Sequence, residues 1–403
     1  MPRKTTSSGL RAAVSHNIKN IVNNIMSKHY SKYRRKKRKN WTIEIITAVL
    51  AVLLVCSAYA GKINPQSFVG APFMMLAFMP MVILLSLVLI AVLFKRRWIA
   101  AFTVVVSLVA TLPILKQYIG MNSVDNIPPT PADPSLILKV MTYNVLGFNY
   151  NDPTLSSKPS KTMKLILDAD PDVVLMQEGG AAGLEWDDVP SLKPYMEQVR
   201  AKYPYLYSSP EGLNILSKYP FKTQALGKAH RGHSPLGYNR DMTAHLARAY
   251  DLQLPSGKQL RLIDFRLQSY HLSFGKSQNV RVSPSVKPAP LERMRRSFAL
   301  RGDNAESLRH EIDASPANVI VCGDMNDVSA SHVYRTIMGE DLRDVWTEVG
   351  RGYGHSFNRH HLPYRIDQMF YRGDVRALSI KRIKGGSSDH YPLMATFDIE
   401  ITK

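Results

Sequence analysis

Cysteine is almost missing from this sequence: two occur in 403 residues, Cys56 in an apolar run and Cys322 in a stretch read as a buried strand. Two such residues give neither a disulfide framework nor a Cys-x-x-Cys metal site. Their scarcity fits a reducing compartment without excluding an oxidising one. Acids are missing from the first 40 positions, which hold twelve Lys or Arg. Through residue 97 only Glu44 opposes sixteen basic side chains, so fifteen of the twenty net positive charges lie there. The other 306 residues carry 36 basic and 31 acidic side chains. The high isoelectric point therefore belongs to the N-terminal region and gives the rest no special case for binding nucleic acid. Internal repeats are lacking, as are low-complexity arrays beyond the basic tail.

Charge is also missing from three long apolar runs. Trp41–Ala60 contains only Glu44, one turn from its start, and Phe68–Phe94 contains none. Trp98–Leu115 is shorter, yet falls within the spanning range of about 17–25 residues. Three transmembrane helices are expected, the second kinked at Pro80. Arg34–Lys39 precedes the first, Lys95–Arg97 separates the second from the third, and loop 61–67 holds only Lys62. The positive-inside rule then places the N-terminus and loop 95–97 in the cytoplasm and the C-terminal part on the extracytoplasmic side. The basic tail is expected to lie against anionic lipid. Ala58-Tyr59-Ala60 resembles a signal-peptide processing site, so cleavage of the first span stays open, with no change in the side reached. The spans lack paired ionisable residues, which argues against an ion pathway. The expected organisation is a basic tail (1–40), a three-helix anchor contacting membrane lipid (41–116), a Pro-rich linker (117–135) and a C-terminal domain (136–403).

Within the last domain, apolar β-prone runs read as strands at Leu136–Tyr143, Val173–Met176, Ile215–Leu216, Met242–Leu252, Leu260–Leu267, Asn318–Cys322, Gln368–Tyr371, Ala377–Ile383 and Leu393–Ile399. The turn Pro255-Ser256-Gly257 suggests a hairpin. Helices are expected at Lys161–Asp168, Leu291–Ile312 and Ser331–Met338. Strands in pairs with a few helices between them fit two packed sheets with helices outside, rather than a doubly wound sheet.

Polar residues cluster just after these strands. Asn144 ends the first, where turn capping is its ordinary role. Glu178, freed by Gly179 and Gly180, follows the second, and a strand-end carboxylate suits a hard cation such as Mg²⁺. His271 follows another strand. Gly323-Asp324-Met325-Asn326-Asp327 places an acid and an amide two residues apart at a strand exit, although an Asx-rich turn has the same composition. Arg365-Ile366-Asp367 and Ser388-Asp389-His390 flank the late strands. A histidine needs a partner to fix its tautomer. Neighbouring strand residues face opposite ways, so Asp389 is a poor partner for His390 and Asp367 is the better one.

Taken in order, Asn144, Glu178, His271, Asp324-x-Asn326, Asp367 and Asp389-His390 resemble the endonuclease/exonuclease/phosphatase superfamily over about residues 137–400. The resemblance implies a four-layer α/β sandwich of two packed β-sheets flanked by helices. It implies a hydrolase in which Glu178 binds Mg²⁺ (or Mn²⁺), Asn144 lies near metal and phosphate, and Asp389 assists the metal site. Asp324 would orient or deprotonate the attacking water and Asn326 would hold the phosphate. His390, oriented by Asp367, would act as acid/base or stabilise the transition state. His271 would contact the phosphate or help the leaving group. Substrates open to such a site are lipid headgroups, nucleic acids and small phosphodiesters, and no obligate protein partner is evident.

Two positions depart from the pattern: Ser269 stands where an Asn is common, and Gln368 where an aromatic often follows the Asp. Loops 181–190, 228–240 and 273–290 carry no substrate signature. Asn239 and Arg240 suit a phosphate or an exposed turn equally. Arg293, Arg295, Arg296 and Arg301 read as a solvated helix face. The competing reading is a catalytically inactive extracytoplasmic binding module on the same fold.

Overall fold

The computed structural model describes residues 7–122, 133, 137–149, 152, 154–180, 186–228, 245–269, 290–358 and 364–399. The chain forms two compact units, Met1–Val55 with Met79–Ala110, and Cys56–Phe78 with Thr111–Lys403.

The N-terminal apolar runs fold as helices: α1 (Ser7–Tyr59), α2 (Gly70–Phe94) and α3 (Trp98–Ala110), followed by α4 (Leu112–Tyr118). Two stretches, Trp41–Lys62 and Gly70–Phe94, are long and apolar enough to cross a membrane, and a third qualifies only if α3 and α4 count as one span. The expected third span is thus broken at Thr111. Pro113, in the first turn of α4, offers no N–H and its ring crowds the carbonyl four residues back. Helix α2, by contrast, runs through Pro80. Within the first unit, Val92, Ala100 and Ala101 pack with Ile43, Val88 and Leu89, and Arg97 lies 3.7 Å from Glu44.

The second unit is built on two six-stranded mixed sheets. In the first, β2 (Ile137–Asn144) and β3 (Val173–Gln177) run parallel, flanked by β14 (Leu393–Asp398) and β5 (Asn214–Ser217), with β13 (Arg376–Arg382) and β4 (Tyr205–Tyr207) at the edges. In the second, β8 (Gln259–Arg266) and β9 (Val319–Asp324) run parallel, flanked by β7 (His245–Gln253) and β12 (Asp367–Arg372), with β6 (Phe221–Lys228) and β10 (Arg343–Asp344) outermost. The expected hairpin joins β7 to β8, with Gly257 at φ 76° in its turn.

Side-chain alternation assembles the layers. Leu138, Val140, Val173 and Leu175 meet Leu262, Ile320, Cys322 and Met369 in one core between the sheets. The alternate residues face helices. Met141, Tyr143, Val174 and Met176 pack with α5 (Lys161–Ala169) and α6 (Met196–Lys202). Ile263, Phe265, Val319 and Val321 pack with α7 (Pro290–Asp313) and α8 (His332–Met338). The outcome is the expected four-layer α/β sandwich. Outside it, β1 (Ile119–Met121) pairs with β11 (Arg351–Tyr353), beside α9 (Val345–Val349). The segment between the first two apolar helices also rests on this unit: a Cβ built on Gly61 would come 2.0 Å from the Ala330 carbonyl oxygen.

Candidate active site

Asn144, Arg266, Asp324 and Asp367 all continue the inward-facing series of their strands, β2, β8, β9 and β12. Asp367 stands directly opposite Asp324 in the antiparallel β9–β12 pair, and Arg266 is the residue paired with Asp324 across the parallel β8–β9 ladder. Strand alternation plus register thus delivers four polar side chains to one end of the inter-sheet space.

Asn144 is the hub. Its Nδ2 donates to Glu178 Oε1 at 3.0 Å and to Asp324 Oδ2 at 2.9 Å, while its Oδ1 accepts from the Leu146 amide at 3.1 Å. Asn326 Nδ2 donates to Asp324 Oδ2 and to the Leu267 carbonyl, each at 3.0 Å, and so spends both amide hydrogens inside the protein. The Asn326 backbone N–H donates to Asp324 Oδ1 at 2.9 Å. Glu178 and Asn326 both have φ 53°. That left-handed backbone suits Asn but strains Glu, and such strain concentrates at functional sites. At Gly323, φ is 155° and an added Cβ would meet the Phe265 carbonyl oxygen at 1.9 Å, so only glycine lets β9 approach β8 there.

Across from this group, His390 Nδ1 lies 2.8 Å from Asp367 Oδ2, and His390 Nε2 lies 4.0 Å from Asp324 Oδ2. The second distance is too long for a hydrogen bond and leaves Nε2 directed at the space beside Asp324. Asp324, Asp367 and His390 present ligand-type atoms within 4.8 Å of one another. Ser388 Oγ donates to the Asn144 carbonyl at 2.6 Å and accepts the His390 N–H at 3.1 Å, tying the histidine loop to β2. Ser356 Oγ accepts the N–H groups of Ile366 and Asp367 at 3.1 and 3.0 Å. Phe357 packs edge-on against the His390 ring, centroids 5.3 Å apart.

Burial and charge set the protonation states. Burial pushes Asp324 up to about 6, against the opposing pull of His390. Burial also disfavours the charged form of His390, but Asp367 and Asp324 outweigh it and raise the imidazole to about 10. Glu178 is pushed up by burial, yet Arg266 and Asn144 more than compensate and hold its pKa below the ordinary value. The facing carboxylates therefore favour the imidazolium form of His390.

The donor set fits a hard divalent cation. Glu178 is ionised and Asn144 Oδ1 retains a lone pair. Asp367 Oδ1 is buried without a hydrogen-bond partner among the described residues. Oxygen donors of this kind suit Mg²⁺ or Mn²⁺. Asp389 lies close enough to help raise His390, and its carbonyl accepts from the Asn358 amide at 2.8 Å.

The remaining sequence-based expectations divide. His271, Asn239 and Arg240 lie outside the described residues, as does the Arg293 side chain. Arg295 and Arg296 are exposed and pair with Glu292, as a solvated face should. Arg301 is not solvated but fully buried, its Nε 3.4 Å from Asp327 Oδ2 and its Nη1 donating to the Gln268 carbonyl at 3.0 Å. One helix face there packs on the sheet, and composition alone did not separate it from the charged face. Gln368, in place of an aromatic, accepts from Arg365 Nη1 at 2.5 Å, and Arg365 also donates to Asp344. Arg266 went unnoticed in the sequence, although counting by twos from Leu262 turns it inward.

The family model described as "Endonuclease/Exonuclease/phosphatase family" matches residues 141–390, and one described as a domain of unknown function matches residues 40–118. No curated protein matches the sequence significantly. Among solved structures, a humanized D. rerio TDP2 is similar at 19% identity and TM-score 0.44, covering 65% of this chain and 99% of that one. An endonuclease/exonuclease/phosphatase from Bacteroides vulgatus is 18% identical, TM-score 0.44, covering 66% and 99%. A mannosyl-6-phosphatase from Bacteroides thetaiotaomicron is 12% identical, TM-score 0.42, covering 64% and 99%.

Proposed function

The chain belongs to the endonuclease/exonuclease/phosphatase family, and from that premise we propose that it is a membrane-tethered, divalent-metal-dependent phosphoester hydrolase. One observation carries the reading: the Asp367-supported His390 faces Asp324, which the amides of Asn144 and Asn326 hold in place. A water between Asp324 and a phosphate can lose its proton to a carboxylate whose proton affinity burial has raised above the ordinary value. The His390 imidazolium directs Nε2–H at the same space and stabilises charge developing on phosphate oxygens. Asp367 fixes its tautomer through Nδ1. Asn326 positions Asp324, and its side-chain amide reaches a phosphate only by releasing the Leu267 carbonyl. His271 is assigned to the phosphate or leaving group. A cation held by Glu178 and Asn144, with Asp389 assisting, would supply Lewis-acid stabilisation of the phosphate oxygens.

Tethering rests on the two apolar helices, which leave Val52, Leu53, Leu87 and Ile90 exposed as lipid contacts would be. It raises the local concentration of phosphoesters in lipid headgroups, which makes these the favoured substrates over nucleic acid. With the bent α3–α4 pair taken as a third crossing, the positive charge of the basic tail and of loop 95–97 favours an active site on the extracytoplasmic side. An alkaline phosphatase fused after residue 130 should then be active, and an inactive fusion reverses the orientation.

The test of the chemistry uses the full chain in detergent with bis-(p-nitrophenyl) phosphate, sphingomyelin, plasmid DNA and inositol phosphates. Hydrolysis of at least one, with Mg²⁺ or Mn²⁺ and abolished by EDTA, is expected. Turnover that survives EDTA contradicts the metal assignment, and silence on every substrate contradicts the hydrolase.

A further inference from the structure

Arg266 closes β8 on the inner face of its sheet, level with Asp324. Its Nη2 lies 2.6 Å from Glu178 Oε1, the oxygen that also accepts from Asn144. Its Nε is buried and has no hydrogen-bond partner among the described residues. The side chain is 34% exposed, so part of it is open to a ligand although Nε is buried.

A guanidinium carries five N–H donors in one plane and keeps its charge at every physiological pH. Here the pairing with Glu178 engages one end of that fork and leaves donors for an anion in the same space. Glu178 is the carboxylate assigned above to the cation, so on that reading Arg266 and the cation draw on the same side chain. A phosphate beside Asp324 offers the arginine an equivalent partner with matching bidentate geometry.

We propose that Arg266 is a substrate-binding residue of this site: it exchanges Glu178 for a phosphate oxygen, and by competing for Glu178 it weakens the binding of the divalent cation. This rests on the phosphoester hydrolase reading above. The competition makes a signature that damage to the fold does not: removing the side chain tightens the metal and loosens the phosphate.

The experiment compares full-length wild type, Arg266→Gln and Arg266→Lys in detergent. Mn²⁺ affinity is measured by electron paramagnetic resonance of the free ion. Inorganic phosphate affinity is measured calorimetrically with Mn²⁺ saturating. Arg266→Gln should bind Mn²⁺ at least about threefold more tightly, because an opposing cation near one Debye length or less has gone. It should bind phosphate at least about tenfold more weakly, the loss of one charged contact. Arg266→Lys should keep the wild-type Mn²⁺ affinity and lose phosphate affinity. Weaker Mn²⁺ binding in Arg266→Gln, or unchanged phosphate binding in both variants, overturns the proposal. Neither titration needs turnover, so an inactive wild type would refute the hydrolase while these readings still judge Arg266.

Discussion

Gln177 and Asp264 join the two sheets directly under the site: Gln177 Nε2 donates to Asp264 Oδ1 at 2.5 Å and to Thr142 Oγ1 at 3.0 Å, with all three side chains fully buried. Among the described residues, Asp264 Oδ2 and Gln177 Oε1 remain buried without hydrogen-bond partners. Burial drives the Asp264 pKa well above the ordinary carboxyl value, a shift only partly relieved by Gln177. A proton on Asp264 turns one of the two surplus acceptors into a donor.

The contribution of Asp264 to stability should accordingly be greatest in acid and fall with pH. The folded chain keeps a proton that the unfolded chain releases above about pH 4, so unfolding becomes easier as pH rises from there to the folded pKa. Asp264→Asn keeps the shape, supplies the donor permanently and removes this slope. A higher melting temperature than wild type at pH 7, with a smaller difference at pH 4, is expected in thermal melts. A variant less stable at pH 7 would show that Asp264 is buried as a charge.

Asp324→Ala and His390→Ala should each lower kcat by at least about 10²-fold, the usual scale of a lost acid–base group. Asp367→Asn should lower it too, through the His390 tautomer. Steady-state rates on whichever phosphoester is turned over give the answer, and near-wild-type rates in both alanine variants remove the pair from the mechanism.

Gly323→Ala should destabilise by about 2 kcal/mol or more, through backbone strain and a collision with Phe265 that no rotamer relieves. Chemical denaturation reads this directly. A neutral result would mean that β8 and β9 separate easily at the site.

Arg301→Ala should cost about 3–5 kcal/mol, because it leaves Asp327 as an uncompensated buried acid. The double variant Arg301→Met with Asp327→Leu should recover much of that loss. If the double variant is no better than the single, the pair is not what Arg301 contributes.

A chain trimmed to begin at residue 126 should melt several degrees below full length. It lacks β1, the buried Tyr118 and the Gln117 carbonyl that accepts from Arg365 Nη2 at 2.6 Å. Gly120 packs so closely on the Gly350 carbonyl that an added Cβ would lie 2.3 Å from it. Equal melting temperatures would show these contacts to be dispensable.

The central strands were legible because they are apolar and end in turn residues. Short edge strands such as β4 and β10 were not, since two or three residues carry no period. Ile119–Met121, inside the expected linker, is strand only because Arg351–Tyr353 lies alongside, a tertiary cause invisible locally. The Asp367–His390 pairing followed from alternation within one strand end. The Ser356 and Ser388 hydroxyls that hold the loops around that pair did not, because serines in loops look alike until their backbone partners are known. The break at Thr111 was foreshadowed by Pro113, which the hydropathy of Trp98–Leu115 outweighed.

The inward series that ends in Asn144, Arg266, Asp324 and Asp367 has an evolutionary corollary. Inserting or deleting a single residue in β2, β8, β9 or β12 would turn its terminal side chain toward the helices. Loops beyond those ends bear no such parity constraint. Substrate preference can therefore drift by exchange of whole loops, whereas the length of each of these strands is fixed modulo two.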